Sequence, residues 1–149
     1  MQEAFLIAGT KVSFEFDPVG NPDVYTHVPG ITSVGGTGET ATSKDKTALE
    51  DTTKKYGRGI FDTPDKTIKG QYLSTDAALT QLRTAAKAGN SIKMKIEWPD
   101  GANGTTDGTK AVVTVQLLGF MLDEGTAEDW QMYTINGKQS GVTAWTDPL

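Results

Sequence analysis

Cysteine is absent from this 149-residue chain, and histidine occurs only once. Without cysteine there is no disulfide, no thiolate metal ligand and no thiol nucleophile. Histidine chemistry is restricted to His27, which lies in a β-prone stretch between Thr26 and Val28. Because a metal or catalytic site needs further ligands or an oriented partner, we expect His27 to be an ordinary strand residue.

Long apolar runs are also missing, and none approaches the roughly 18 residues that a helix needs to cross a bilayer. The opening residues MQEAFLIAG have no basic side chain, so we expect a first strand of a cytoplasmic protein and not a secretory leader. The net charge of −5 argues against tight DNA binding. Duplex affinity comes largely from Lys and Arg side chains that neutralise phosphates.

Glycine is abundant at 17 residues, whereas hydrophobic residues make up only 36% of the chain. This composition favours short strands and many turns over long helices. A chain of this length corresponds to one ordinary domain and buries roughly 70% of its extended-chain surface. We therefore expect a single domain over residues 1–149, with one core and no appended immunoglobulin-like domain.

Alternation of apolar and polar residues predicts a series of strands, because successive side chains of a strand point to opposite faces. The clearest runs from Ile92 to Trp98, and the most apolar from Ala111 to Leu122, where Gly119 marks a site for a β-bulge. The other predicted strands are Val12 to Phe16, Val24 to Val28, Ile31 to Val34, Thr37 to Ser43, Thr67 to Leu73, and a final pair, Trp130 to Ile135 and Val142 to Trp145, joined through Asn136 and Gly137.

One segment, Asp76 to Ala88, has helical spacing instead, with an apolar stripe formed by Leu79, Leu82 and Ala86. Ser74 or Thr75 is the expected N-cap, and Gly89 closes the helix. Strands greatly outnumber helices. The predicted fold class is therefore mainly β, an antiparallel β-sandwich or barrel carrying one α-helix at about residues 76–88.

The stretch from Lys44 to Phe61 is polar, and a turn-rich sequence extends it to about residue 65. A structureless loop of this length is uncommon in a compact domain and is usually functional or disordered. Five basic and three acidic residues give it a net charge of +2, which leaves −7 on the rest of the chain. Either it is a solvated, mobile loop, or a second copy of the protein orders it through a heterologous contact, the kind that builds rings and stacks.

No motif in the chain predicts catalysis or a cofactor. The glycines at 35, 36 and 38 lack the Lys-Ser/Thr ending of a phosphate loop, and residues 100–107 lack the spacing of a calcium loop. Asp123, Glu124, Glu128 and Asp129 flank a glycine-containing turn, which favours a solvated acidic loop over paired catalytic carboxylates. We therefore expect a protein that is not an enzyme and binds neither cofactor nor metal.

The order of elements resembles that of the tail tube, or major tail, proteins of long-tailed, siphovirus-type bacteriophages. The resemblance rests on TALED at residues 47–51, IKGQY at 68–72, the helix residues Leu79, Gln81 and Leu82, and the ending YTINGKQSGVTAW. It covers about Val28 to Trp145. It implies a virion structural protein whose homohexameric rings stack into a helical, hollow tail tube.

That resemblance also implies roles for particular residues. The long loop would stack the rings through Lys44, Asp45, Lys46, Thr47, Leu49, Glu50, Asp51, Lys54, Lys55, Tyr56 and Arg58. The flanking strands would line the tube, with Glu39, Lys69 and Gln71 as candidates for the lumen. Four inner strands per subunit would make about 24 strands, which close at a backbone diameter near ~50 Å and leave a channel on the order of 40 Å.

Such a channel admits a DNA duplex, and an acidic wall would let it slide during ejection into the host cell without tight binding. The implied partners are other copies of the chain, a tape measure protein, a tail terminator and distal tail or baseplate proteins, with assembly in the host cytoplasm and no membrane. One alternative is a related ring component, either a tail terminator or a secretion-system tube subunit. Another is a β-sandwich that binds carbohydrate or a cell-surface partner through Trp98, Trp130 and Trp145.

Overall fold

The computed structural model describes residues 8–101 and 108–147. These residues form nine strands and one helix: β1 (Lys11–Glu15), β2 (Thr26–His27), β3 (Ile31–Ser33), β4 (Thr40–Asp45), β5 (Tyr56–Asp62), β6 (Ile68–Gln71), α1 (Ala77–Ala88), β7 (Ser91–Glu97), β8 (Lys110–Leu122) and β9 (Met132–Thr146). The first strand predicted for the opening residues lies mostly outside the described part, as does most of the turn before β8.

Seven strands form one antiparallel sheet in the order β2-β1-β7-β8-β9-β6-β3, and β4 and β5 form a separate two-stranded sheet. The predicted class, mainly antiparallel β with a single helix, is confirmed. Several predicted strands are shorter in the structure. For example, the stretch from Val24 to Val28 contributes only Thr26–His27 to β2. Strand β4 begins at Thr40, three residues later than predicted.

The core lies between one face of the large sheet and the helix. Ile92, Met94 and Ile96 of β7 alternate with exposed or half-exposed lysines, as their spacing predicts. Their buried side chains meet Leu79 and Leu82 of α1 within the same cluster. At roughly 1.5–3 kcal/mol for each fully buried large aliphatic or aromatic side chain, this cluster is the main source of subunit stability.

The helix is capped by a residue other than the predicted ones. Asp76 is the N-cap, and its carboxylate accepts a hydrogen bond from the Leu79 amide at 2.9 Å. Ser74 and Thr75 lie in the preceding turn, so the predicted cap is wrong by one or two residues. The predicted C-terminal end is confirmed, because Gly89 takes the left-handed conformation (φ 71°) that closes a helix cheaply only at glycine.

The last two predicted strands are a single 15-residue strand, β9. Asn136 and Gly137 do not form a turn, because both pair with β8. A Cβ at Gly137 would lie 2.7 Å from Val115 Cγ1 and 2.9 Å from the Lys66 carbonyl oxygen. Gly137 is therefore required for close packing. From the sequence alone, an Asn-Gly pair does not show whether its glycine serves a turn or close packing. The predicted bulge at Gly119 is confirmed by a register shift between Leu117 and Gly119.

The prediction that residues 44–65 form one long loop without regular structure is wrong. Its first residues belong to β4 and its second half forms β5, so the stretch is a β-hairpin. We call residues 40–62 the arm and residues 46–55 its tip. The apolar residues of β5, Tyr56, Ile60 and Phe61, do not alternate regularly with polar ones, and pairing with β4 makes the segment a strand.

Candidate functional site

The arm pairs with itself and not with the main sheet. Its register runs from Thr40 opposite Asp62 to Asp45 opposite Tyr56, with an irregularity between Ala41 and Ser43. An isolated two-stranded hairpin is marginally stable in water. The arm must therefore gain stability from hydrogen bonds at its tip and its base, or from another molecule.

Short-range hydrogen bonds order the tip. The Asp51 carboxylate accepts from the Ala48 amide at 2.8 Å and pairs with Lys55 Nζ at 2.9 Å. The Asp45 carboxylate accepts from the Thr47 amide at 2.9 Å, and the Thr47 hydroxyl accepts from the Lys55 amide. These bonds lower the pKa of both carboxyl groups, chiefly through Ala48 for Asp51 and Thr47 for Asp45. Bonds within the chain therefore order this segment, whereas the sequence analysis considered only a mobile loop or a loop ordered by a second copy.

Large apolar side chains of the arm remain in water. Leu49 at the tip is fully exposed, Ile60 on β5 is 91% exposed, and Tyr56 and Phe61 are about half exposed. The Arg58 guanidinium lies 4.2 Å from the centre of the Phe61 ring. Exposed apolar groups concentrated on one element mark an interaction surface, whereas scattered ones do not.

The base of the arm is tied to β9. The Thr63 hydroxyl donates to the Gln139 carbonyl at 3.2 Å, and Asp65 pairs with Lys138 at 2.5 Å. On the other side, the Glu39 carboxylate accepts hydrogen bonds from the Thr143 amide and from Gln139 Nε2. The bonds from Thr143 hold the pKa of Glu39 below its usual range.

Lys66 is fully buried beneath this base. Its ammonium donates to the Gly36 carbonyl at 2.6 Å and to the Thr37 hydroxyl at 2.5 Å. Of the described acidic residues, none forms an ion pair with it. Burial lowers the pKa of Lys66 to about 8. A cation held by neutral acceptors thus fixes the chain leading into the arm, a role that the sequence pattern does not indicate.

The lumen candidates do not occupy equivalent positions. Lys69 and Gln71 are exposed on one face of β6, opposite the buried Ile68 and Gly70. Glu39 is partly buried and engaged with β9. The roles of these three residues, and of the ring-stacking residues, remain predictions.

A second exposed surface lies at the turn between β8 and β9, residues 123–131. Trp130 is 82% exposed, and Leu118, Met121 and Leu122 at the end of β8 are exposed as well. The Asp123 carboxylate accepts from the Thr134 hydroxyl at 2.6 Å, and Asp129 accepts from the Thr126 amide at 2.8 Å. The sequence had indicated the acidic residues but not the apolar ones. Leu118 is exposed by the regular alternation of β8 after the buried Leu117, and Met121 and Leu122 follow the bulge at Gly119.

The three tryptophans do not form one platform. Trp98 stacks on Trp145 with ring centres 5.9 Å apart, beside a groove of about 650 Å³. Trp130 precedes β9, whereas Trp145 lies near its far end. The single face of three tryptophans expected for a carbohydrate-binding module is therefore not formed by the described residues. His27 is exposed on β2, as predicted for a strand residue. The helix α1 is too short and too polar to cross a membrane.

A family model described as phage tail tube, TTP, lambda-like matches residues 5–141. No curated protein sequence matches the chain. Among solved structures, the chain is similar to one from the anti-feeding prophage baseplate, with a TM-score of 0.70 at 9% identity, covering 99% of this chain and 98% of the other.

Two further structures share the fold. One comes from the tail of an empty gene transfer agent particle refined with C6 symmetry, with a TM-score of 0.66 at 14% identity over 96% and 99% of the two chains. The other comes from the sheath/tube terminator of an extracellular contractile injection system, with a TM-score of 0.71 at 12% identity over 97% and 98%.

These structural similarities establish the fold, while the sequence match over most of the chain establishes the family and favours a tube subunit over a terminator. The chain belongs to the lambda-like phage tail tube protein family, and it is a structural subunit of a phage tail tube.

Proposed function

We propose that six copies of this chain form a ring, and that rings stack head to tail through the arm into a hollow tube. Two similar structures, a baseplate and a particle tail, have sixfold symmetry, which supports this number. One surface that complements a different surface of the same molecule makes a contact that either closes into a ring or repeats indefinitely. The arm and the main sheet offer two such different surfaces.

The observation that carries the proposal is the exposure of Leu49 and Ile60 on an arm that is hydrogen-bonded internally. Because these large apolar side chains are not buried within their own subunit, they contribute little to the stability of the isolated chain. Burial against a neighbouring subunit would contribute roughly 25 cal/mol for each Å² of apolar surface covered.

The tube would conduct double-stranded DNA during ejection without holding it. A net charge of −5 disfavours tight binding to phosphates. Lys69 and Gln71 are exposed on a strand next to β9 and remain our candidates for the lumen. Lys138 on β9 is neutralised by Asp65, which further reduces the attraction of that face for a duplex.

In the particle, we infer contacts with a tape measure protein, a tail terminator and distal tail or baseplate proteins. A baseplate and a sheath/tube terminator are among the assemblies that contain similar structures, which supports these contacts. The chain would act purely as a structural component of the virion tail, assembled in the host cytoplasm, and would have no catalytic role.

Replacing the tip, residues 46–55, by Asn-Gly tests the stacking role. Asp45 and Tyr56 face each other in the hairpin, so a two-residue turn reconnects them without breaking the arm. We expect a folded subunit that forms no tubes in negative-stain electron microscopy, while the wild-type chain forms them.

Val19→Ala is the matched control, because it removes an equally exposed apolar side chain from the turn after β1. It should leave tubes intact, and circular dichroism should show native folding for both variants. Normal tubes from the shortened arm would contradict the stacking role, and a wild-type chain that forms neither rings nor tubes would contradict the proposed function itself.

A further inference from the structure

The base of the arm and the turn between β8 and β9 contact different parts of β9. The chain from Thr63 to Gln71 runs antiparallel along β9, with Thr63 beside Gln139 and Gln71 beside Met132. The arm is therefore rooted on the C-terminal half of β9, whereas residues 123–131 directly precede its first residue. The contacts of the arm's base, at Lys138, Gln139 and Thr143, lie seven to twelve residues along β9 from the turn, a span of roughly 25–40 Å.

Their charges are complementary. The turn carries Asp123, Glu124, Glu128 and Asp129 and no basic residue, a net charge of −4. Of the described residues, none pairs with these four carboxylates in a salt bridge. At the tip, the same bridges occupy Lys55 but leave Lys46 and Lys54 without an ion-pair partner.

Their apolar side chains are complementary as well. Trp130 projects from the turn and is 82% exposed, with Leu118, Met121 and Leu122 exposed on the adjoining end of β8. The tip carries Leu49, whose apolar side chain is fully exposed and can contact another molecule. An exposed aromatic and aliphatic patch with a charged rim has the composition of a protein interface, where aromatic anchors provide most of the binding energy.

We propose that the β8–β9 turn is the receptor for the arm tip of a subunit in the next ring, with Leu49 packing against Trp130 and Lys46 and Lys54 facing the acidic rim. The inference rests on the proposed head-to-tail stacking and specifies its second partner. Because the base of the arm and the receptor turn occupy different parts of β9, each copy offers a free receptor after it has inserted its own tip. The contact therefore propagates along the tube axis.

Another exposed apolar pair is a weaker candidate for the receptor. Val142 and Trp145 are exposed on the C-terminal half of β9, but Thr143 between them binds Glu39 at the base of the arm. They lie at the end of the subunit from which the arm departs. A tip arriving head to tail from a neighbouring ring approaches the other end.

Disulfide trapping tests the contact directly, because the chain contains no cysteine of its own. Leu49→Cys and Trp130→Cys are introduced together, and assembled tubes are oxidised and analysed by denaturing electrophoresis without reductant. Each subunit then carries one donor and one acceptor thiol, so we expect a ladder of covalent multimers, with more than about tenfold more cross-linked product than in the control.

The matched control carries Leu49→Cys with Val19→Cys, since Val19 is also exposed but lies after β1. Tubes that form normally and give no ladder for the first pair, or equal ladders for both pairs, would overturn the receptor assignment and leave ring stacking intact.

Charge exchange gives an independent test if the cysteine pair disturbs assembly. Glu124→Lys with Glu128→Lys places like charges against the tip, and we expect the critical concentration for tube formation to rise about tenfold or more. Adding Lys46→Glu and Lys54→Glu to the same chain should restore tubes. Failure of the exchange to restore them, with both proteins folded, would contradict the proposed pairing.

Discussion

The main sheet and the arm are built from similar strands but bury their side chains differently. Ile68 of β6 is completely buried, whereas Ile60 of β5, eight residues earlier in the chain, is 91% exposed. Both residues lie in hydrogen-bonded antiparallel strands. The difference shows that regular backbone pairing and side-chain burial are separate requirements, and that this subunit satisfies both only in its main sheet.

The arm and the connection that joins it to the main sheet also use charge differently. In the connection between the arm and β6, the charged side chain of Lys66 is buried and held by a carbonyl and a hydroxyl. In the arm, acidic side chains bind backbone amides at the surface of the tip. The first arrangement fixes a connection inside the subunit. The second shapes a projecting element that is then free to contact another molecule.

The largest expected contrast is between Ile68→Ala and Ile60→Ala. Removing the buried side chain should lower the free energy of unfolding of the isolated subunit by about 2–5 kcal/mol, because it leaves a cavity in the core. The exposed side chain should change it by less than about 0.5 kcal/mol. Urea unfolding of the monomer measures both values.

Tube formation should depend on the exposed Ile60, even though the stability of the monomer does not. Ile60→Ala should weaken tube formation while the monomer remains as stable as the wild type, and pelleting assays with electron microscopy would detect the change. Equal destabilisation of the monomer by both substitutions would show that Ile60 is buried in solution and would remove the distinction between the two regions.

A smaller effect is expected from the pH dependence of Lys66. Its pKa in the folded protein is about 8, below the ordinary value of about 10.4 in the unfolded chain. Between these values the unfolded chain binds more protons than the folded protein, so Lys66 makes stability rise from pH 8 to pH 10, by at most about 1.4 kcal/mol per pH unit. Below pH 8 that contribution is lost.

Lys66→Met is the control, because methionine has an unbranched side chain of similar length and no charge. The difference in unfolding free energy between wild type and variant should change with pH over this window and be constant from pH 6 to 7. A difference that does not vary between pH 8 and 10 would show that the lysine titrates normally in the folded protein.

The smallest effect is expected at Tyr133, the largest fully buried side chain of the core. Burial raises the pKa of its hydroxyl to about 12, and among the described residues the hydroxyl has no hydrogen-bond partner. Because a buried hydroxyl without a partner is unfavourable, Tyr133→Phe should leave stability unchanged or raise it by about 1 kcal/mol. A loss above about 1 kcal/mol in urea unfolding would reveal a partner for the hydroxyl.

Much of the main sheet was predictable because its residues follow simple periods. The alternation of Ile92, Met94 and Ile96 predicted β7, and the spacing of Leu79 and Leu82 predicted the buried face of α1. In both cases one face of the element packs on the core, so buried residues recur at regular spacing in the sequence.

The arm and β9 were harder to predict for a physical reason. A strand with both faces in water has no apolar alternation, and β5 was therefore read as part of a loop. In β9, Asn136 and Gly137 form a dipeptide typical of turns, but a glycine is required at 137 because Val115 and the Lys66 carbonyl approach closely. Contacts between residues far apart in the chain decided both cases.

The amino-acid sequence by itself determined the class of fold, the helix, the family resemblance and the concentration of positive charge in one segment. Only the tertiary structure decided that this segment is a hairpin rooted on β9, and that Trp130 and the acidic turn lie at the start of that strand. Periodicity and charge are local properties of a chain. The relative positions of two surfaces depend on strand order and register, which long-range packing sets.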